Sequence, residues 1–231
     1  MAAPDGLSRE LGGHPGSGSV LLGYIHGGIV RAEFMASVLN AVAGPDRTGL
    51  IGGVVDASAG PLIAMARNML VMRFLKSDLE WLWCVDSDIQ FGTHVVADLL
   101  QAADPVTRPV VSALYWIIAG GEQKPAAFTA GPDADGELHF AHLSTWDAGE
   151  VIEVDGVGAG CLLIHRSALE TVRAGDDGRA WWFREVSVGA RELGEDFSFC
   201  TRLARHQIPV HLHTGAEVGH VKAVLLGKPA P

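Results

Sequence analysis

The apolar positions of this chain fall into blocks that alternate between two periods. "VLLGYIHGG", from Val20, is an apolar run stopped by Gly27 and Gly28 and reads as a first strand. "IVRAEFMASVLNAVA" follows with Val30, Phe34, Val38 and Leu39 at helical spacing, and "GPD" breaks it. "LIGGVV" is a second short strand ending at Asp56. "PLIAMARNMLVMRFLKS" is a helix with Pro61 at its start and apolar residues almost all round, which predicts a largely buried element. A third strand, "EWLWCVDSD", precedes a helix over "THVVADLLQAA" that Thr93 is placed to cap, and "PVVSALYWI" makes a fourth strand. Strands and helices alternating in this way predict a parallel sheet covered on both faces.

After residue 120 the pattern changes. "KPAAFTA", "GELHFAHLS" and "EVIEVDGVG" are short segments divided by Gly, Pro and Asp, which suit an antiparallel addition. "GAGCLLIHRSALETVRAG" returns to strand and helix, and "AGDDGRA" is a turn or loop. "GEDFSFCTRLARHQ" is a helix with acids at its start and arginines near its end, matching the macrodipole, and "IPVHLHTGAEVGHVK" closes with one or two strands. The expectation is an α/β fold, a Rossmann-like, mostly parallel sheet flanked by helices, with a mixed or antiparallel C-terminal part. It should occupy residues 20–225 as one domain, between a Gly-, Pro- and Ser-rich arm at 1–19 and a flexible tail at 226–231.

Composition narrows the class. With 231 residues, 48% hydrophobic and 19% charged, the chain is a folded one with a sizeable core. Its 29 glycines fit a loop-rich α/β enzyme better than a helical bundle. A net charge of −10 argues against nonspecific nucleic-acid binding, which depends on clustered Lys and Arg. Cys84, Cys161 and Cys200 are odd in number, far apart and in apolar contexts, as expected of reduced, buried thiols in a cytoplasmic protein. No apolar run reaches the roughly eighteen residues of a membrane span, and the N-terminus lacks the basic-then-apolar order of a secretory signal.

The candidate chemistry begins in "EWLWCVDSDIQF". Strand geometry continued through Asp86 and Asp88 would put both side chains on one side. Two unit charges ~4 Å apart at an effective dielectric of ~20 repel by about 4 kcal/mol. No Lys or Arg lies within five residues on either side to relieve this. A divalent cation with hard oxygen ligands, Mg or Mn, would do so. So would a turn that one Asp caps while the other stays solvated.

An apolar strand ending in D-x-D, the small-residue strand "VGAGCLLI", then "GEDFSFC" and a lone His in "VGHVK" come in a fixed order. That order resembles the GT-A-fold glycosyltransferases, near the glycosyltransferase family 2-like group, over roughly residues 20 to 222. The resemblance implies that Asp86 and Asp88 hold Mn2+ or Mg2+ against a donor diphosphate, with Asp88 the direct ligand and His220 completing the metal site. It implies Asp196 as the general base on the acceptor, supported by Glu195, with inversion at the sugar carbon. The donor would be a nucleotide-diphosphate sugar, UDP-linked before GDP-linked. The acceptor would be a small molecule, a protein side chain or a modified nucleic-acid base, as in compact soluble enzymes of this kind from bacteriophages. Such chemistry needs these groups: a metal clamp for the diphosphate charge and a carboxylate to take the acceptor proton.

Other positions support the resemblance. His26 and Gly27 follow strand one and Asp56 ends strand two, where such enzymes contact nucleobase and ribose; an ordinary tight turn and a turn aspartate are the alternatives. Arg67 and Asn68 interrupt an apolar helix and need partners, either a donor nucleotide or phosphate or an internal pairing with Asp56, Asp86 or Asp88. Tyr115 with Trp116, and Trp182 within "WWF", are candidates for the sugar or acceptor pocket, against plain core packing for at least one Trp. Lys124 is a candidate phosphate or acceptor contact. His211 and His213 alternate along a strand without a thiolate or carboxylate at ligand spacing, which argues against a separate zinc site. Two rival classes stand beside the transferase. A sugar-nucleotide pyrophosphorylase or other nucleotidyltransferase would carry a Gly-rich basic loop that "YIHGGIVRAEF" lacks. A nucleotide-sugar-binding module without catalysis would not need Asp86, Asp88, Asp196 and His220 all intact.

Overall fold

A computed structural model describes residues 18–223, apart from 133, 135, 176–180 and 189–190. Nearly all of the expected N-terminal arm, the whole C-terminal tail and most of the loop expected at 174–180 lie outside the described residues. The first half runs β1 (Val20–Ile25), α1 (Ala32–Ala43), β2 (Ile51–Ala57), α2 (Ile63–Phe74), β3 (Trp81–Asp86), the two-residue β4 (Ile89–Gln90), α3 (Val95–Ala102) and β5 (Val110–Leu114). The second half begins with β6 (Trp116–Ala119), β7 (Glu122–Pro125), β8 (Ala127–Pro132), β9 (Leu138–His142), β10 (Val151–Val154) and β11 (Gly156–Val157). It ends with β12 (Cys161–His165), α4 (Arg166–Gly175), β13 (Val186–Val188), β14 (Arg191–Leu193), α5 (Glu195–Arg205), β15 (Val210–Glu217) and β16 (Gly219–His220).

Seven strands form the central sheet in the order β10-β15-β5-β12-β3-β1-β2. β2, β1 and β3 are parallel neighbours, and β15 is parallel to β5. β12 runs antiparallel to both β3 and β5, and β10 antiparallel to β15 at the edge. The sheet is therefore mostly parallel, as the sequence predicts, with two reversed strands.

Alternation along each strand feeds two cores. Leu82 and Cys84 of β3, with Leu162 and Ile164 of β12, face one core that also takes Val71 and Phe74 of α2, Leu169 and Val172 of α4, and Phe199 and Leu203 of α5. Trp81, Trp83 and Val85 face the other, with Phe34 and Val38 of α1 and Val95, Val96 and Leu99 of α3. Two faces covered by helices explain why β3 and β12 read as continuous apolar runs. All three cysteines are free and buried, and burial pushes each thiol up to about 12, as expected of inert packing groups.

The expected antiparallel addition is a small sheet, β11-β8-β9. "EVIEVDGVG" is divided between the two sheets: β10 joins the central one and β11 the small one. Two helices differ from the sequence expectation. Thr93 caps nothing: α3 starts after His94, with no side-chain capping bond. α2 is not buried all round either; Ile63, Met65 and Met72 are exposed while the polar Arg67 and Asn68 face inward. That inversion of the usual pattern is a physical sign that the buried face of α2 serves polar partners.

Candidate functional site

Strand β3 stops at Asp86, and Asp88 stands in the turn before β4. The two carboxylates therefore do not extend from one strand face. Each meets its own cation, brought from elsewhere in the chain. Arg67 of α2 donates to both oxygens of Asp86, Nη1 to Oδ1 at 2.9 Å and Nη2 to Oδ2 at 3.3 Å, and Nη1 also donates to the Ala159 carbonyl at 3.1 Å. Internal pairing with Asp86, one of the two readings of Arg67, is thus what the structure shows.

His220 reaches Asp88 through the short ladder of β16 on β4, in which His220 pairs with Ile89 and Val221 N–H donates to the Asp88 carbonyl at 2.8 Å. Its Nδ1 donates to the Trp116 carbonyl at 2.9 Å, and its Nε2 lies 3.2 Å from Asp88 Oδ2. The Tyr115 ring packs edge-on against it with centroids 5.6 Å apart. With the Nδ1 proton committed to a carbonyl, a neutral ring turns the Nε2 lone pair toward a carboxylate, an arrangement that asks for a proton or a cation. Lys222 answers part of that demand, its Nζ donating to Asp88 Oδ2 at 2.8 Å. Burial opposes ionisation of Asp88, but the hydrogen bond from His220 when Nε2 carries a proton, together with that from Lys222, outweighs it and holds the carboxyl at about 2.

Below this pair, Glu195 and Asp196 open α5, where the helix N-terminus favours acids. Arg67 Nε is 3.7 Å from Glu195 Oε1 and 3.5 Å from Asp196 Oδ1, too long for hydrogen bonds. Arg67 Nε and Asp196 Oδ1 are accordingly both buried and unpartnered. One guanidinium thus faces three carboxylates, Asp86, Glu195 and Asp196, and the pocket is left net acidic. Burial raises the Asp196 pKa, the Arg67 charge opposes the rise, and Glu195 and Asp86 add to it, with the result at about 6. A carboxylate poised there is largely ionised near neutral pH, yet is a better proton acceptor than an ordinary one.

The cleft beside these groups holds about 450 Å³ and is lined by His26, Gly27, Ile29, Arg31, Gly60, Ile63, Asp86, Ser87 and Asp88, among others. It lies beyond the carboxyl ends of β1 and β3, where ligands bind in open α/β sheets. His26 is fixed from both sides: its Nδ1 accepts from Gly28 N–H at 3.0 Å, so Nε2 carries the proton and donates to Asp56 at 3.1 Å. Gly28 has φ +104 there, a conformation that favours glycine.

The remaining candidates are placed apart from the cleft. Asn68 Oδ1 accepts from the Trp182 and Phe183 amides at 2.8 and 3.0 Å, and its Nδ2 donates to the Phe183 carbonyl at 2.7 Å. All its polar capacity toward those residues is spent on a structural clamp. Trp182 is 1% exposed and donates to the Leu169 carbonyl, which makes it a core residue and no stacking surface for a sugar. Tyr115 is buried too; its hydroxyl accepts from Gly160 N–H at 3.1 Å, so it supports His220 and offers no open face. Its phenol lies across the "GAG" turn, and a Cβ on Gly158 or Gly160 would strike it, which explains the small residues there. Lys124 pairs with Glu122 on the β6–β7 hairpin. Sequence reasoning missed Lys222 and Arg31. Lys222 lies two residues past His220, and that spacing was the available signal.

Asp88 Oδ2 and His220 Nε2 are an oxygen and a nitrogen that could contact a divalent cation together. Among the described residues no group of three His, Cys, Asp or Glu side chains is close enough to hold a metal. An ion held by these two would need phosphate and water oxygens to complete its shell.

No family model matches the chain, and no curated protein matches its sequence. Solved structures do match in fold. A197 from STIV aligns with a TM-score of 0.54 at 18% identity, covering 88% of this chain and 86% of that one. GalNAc-T7, crystallised with UDP, GalNAc and Mn2+, aligns with a TM-score of 0.60 at 11% identity, covering 88% of this chain, which spans only 44% of that protein. At these identities the likeness is one of fold: a mixed α/β architecture of GT-A type around a seven-stranded sheet. No helix among the described residues is long and apolar enough to cross a membrane.

Proposed function

We propose that the protein is a glycosyltransferase that moves a sugar from a nucleotide-diphosphate donor, UDP-linked in preference to GDP-linked, to an acceptor hydroxyl. The observation that carries this reading is the Asp88–His220 pair, 3.2 Å apart and oriented by the Trp116 carbonyl, with Asp88 lining the 450 Å³ cleft. Support comes from the fold shared with a protein crystallised with UDP, GalNAc and Mn2+.

In this reading Asp88 and His220 hold Mn2+ or Mg2+, and Asp86, fixed by Arg67, faces the donor beside them. The bound ion supplies charge neutralisation for the departing diphosphate. His26 and Gly27, which line the cleft, hold nucleobase and ribose together with Asp56, the partner of His26. Asp196 accepts the proton of the attacking hydroxyl, and Glu195 and Arg67 set its basicity; attack from that side inverts the sugar carbon. Transfer should lose rate as the pH falls through about 6, where Asp196 is protonated.

A panel of UDP- and GDP-sugars with Mn2+, read by release of nucleoside diphosphate, tests the proposal on wild type and Asp196→Asn. Release from one donor, abolished in the variant, supports it. Equal release from both proteins, or none from any donor with any acceptor or water, sinks it.

A further inference from the structure

Lys222 enters the site from the segment after β16, and nothing in the transferase reading requires it. Its ammonium sits 2.8 Å from Asp88 Oδ2, the same oxygen that faces His220 Nε2. Arg67 donates to Asp86 and the Ala159 carbonyl and faces the α5 acids, so the second aspartate is left to His220 and to the Lys222 ammonium. The Lys222 side chain is 46% exposed and Asp88 29%. An ammonium so close to water can leave its partner at small cost. The backbone around it is tied down separately, by the His220–Ile89 pairing and by Val221 N–H on the Asp88 carbonyl, so the side chain can swing while the segment stays.

Asp88 and His220 offer a divalent ion only two donors, and among the described residues no third carboxylate, thiol or imidazole completes a metal group. We propose that Lys222 is a built-in counter-ion that competes with the divalent metal for Asp88, which makes metal binding conditional on the nucleotide diphosphate. The inference rests on Asp88 being a metal ligand, as in the function proposed above.

The coupling follows from charge. A metal arriving alone must displace the ammonium from Asp88, leave it unpaired beside a second cation, and fill its shell with water. A diphosphate arriving with the metal changes both terms. Its oxygens complete the shell, and they give the released ammonium a new anionic partner. Each ligand therefore tightens the other, by the same factor in both directions.

The test uses the full chain and its Lys222→Met, Lys222→Arg and Asp88→Asn variants, with calorimetric titration of Mn2+ alone and of UDP in saturating Mn2+. Lys222→Met should bind Mn2+ alone about fivefold more tightly than wild type, and UDP about fivefold more weakly. Lys222→Arg should return both toward wild type. Mn2+ affinity that is unchanged or weaker in Lys222→Met overturns the counter-ion role, even where Asp88→Asn abolishes metal-dependent UDP binding. Should Asp88→Asn bind UDP in Mn2+ as wild type does, the metal reading of Asp88 fails and this proposal with it.

Discussion

Replacing Asp196 with Asn should make the protein more stable near neutral pH while removing its proposed catalytic base. Asp196 Oδ1 is buried without a hydrogen-bond partner. Burial, opposed by Arg67 and reinforced by Glu195 and Asp86, moves the carboxyl from 3.8 to about 6. One pKa unit corresponds to ~1.36 kcal/mol, so an ionised Asp196 costs the fold up to about 3 kcal/mol. The side chain is 25% exposed, and screening through that opening reduces the figure to about 2 kcal/mol. The sign follows from the raised folded pKa. Below the unfolded value both states are protonated and the group costs nothing. As the pH rises through about 4 toward about 6 the unfolded chain ionises first, and stability is lost. Above about 6 the whole penalty applies.

Asn is nearly isosteric and carries no charge, and Arg67 keeps its two bonds to Asp86. For a chain of this size ~1 kcal/mol shifts Tm by about 2–4 °C. Thermal unfolding in EDTA should therefore place Asp196→Asn about 4–8 °C above wild type near pH ~8, with the gap closing near pH ~4. A variant no more stable than wild type at the higher pH, or an offset that ignores pH, would refute the account of this site's electrostatics.

Three further outcomes follow from the packing around the cleft. Asn68→Ala leaves the Trp182 and Phe183 amides and the Phe183 carbonyl without their partner, so it should cost about 3 kcal/mol and lower Tm by about 6–12 °C. UDP affinity of the folded variant should stay within about twofold of wild type, which separates a clamp from a ligand contact. Gly158→Ala drives a Cβ into the Tyr115 hydroxyl and should cost about 2 kcal/mol in urea denaturation, with Tyr115→Phe recovering part of it in a double-mutant cycle. Gln207 holds φ 56 where α5 ends, with Ile208 N–H bonded to the Leu203 carbonyl and Gln207 N–H to the Ala204 carbonyl. Glycine suits that conformation better, so Gln207→Gly should raise Tm by about 2 °C; a fall would show that the Gln side chain contributes more than its backbone conformation costs.

The parts of this fold that were legible in the sequence are those where one element declares itself. β1, β2 and β3 each show an apolar run with a clear stop, and α1 a helical period; α2 was legible as a helix but not in which face it buries. The direction of β12 was not legible. Its residues "CLLIH" are buried on both faces, so no polar alternation says which way it runs or that it lies between β3 and β5. How Asp86 and Asp88 coexist with no cation within five residues was not legible locally either. The answers come from Arg67 and Lys222, 19 and 134 positions away, through a helix packed under the sheet and a segment returning to β4. Residue types carried the site better than the aromatics did. Trp181 and Trp182 are adjacent and chemically identical, yet one is 54% exposed and the other 1%, a difference decided by the Asn68 clamp and the Leu169 carbonyl.

The most direct test of the transferase reading is calorimetric binding of UDP in Mn2+ and in EDTA, on wild type and Asp88→Asn. The account predicts binding in Mn2+ that weakens at least about tenfold in EDTA and by as much in the variant. UDP binding equal in all four conditions, or absent from all of them, would contradict it and leave Asp88 and His220 as a structural pair.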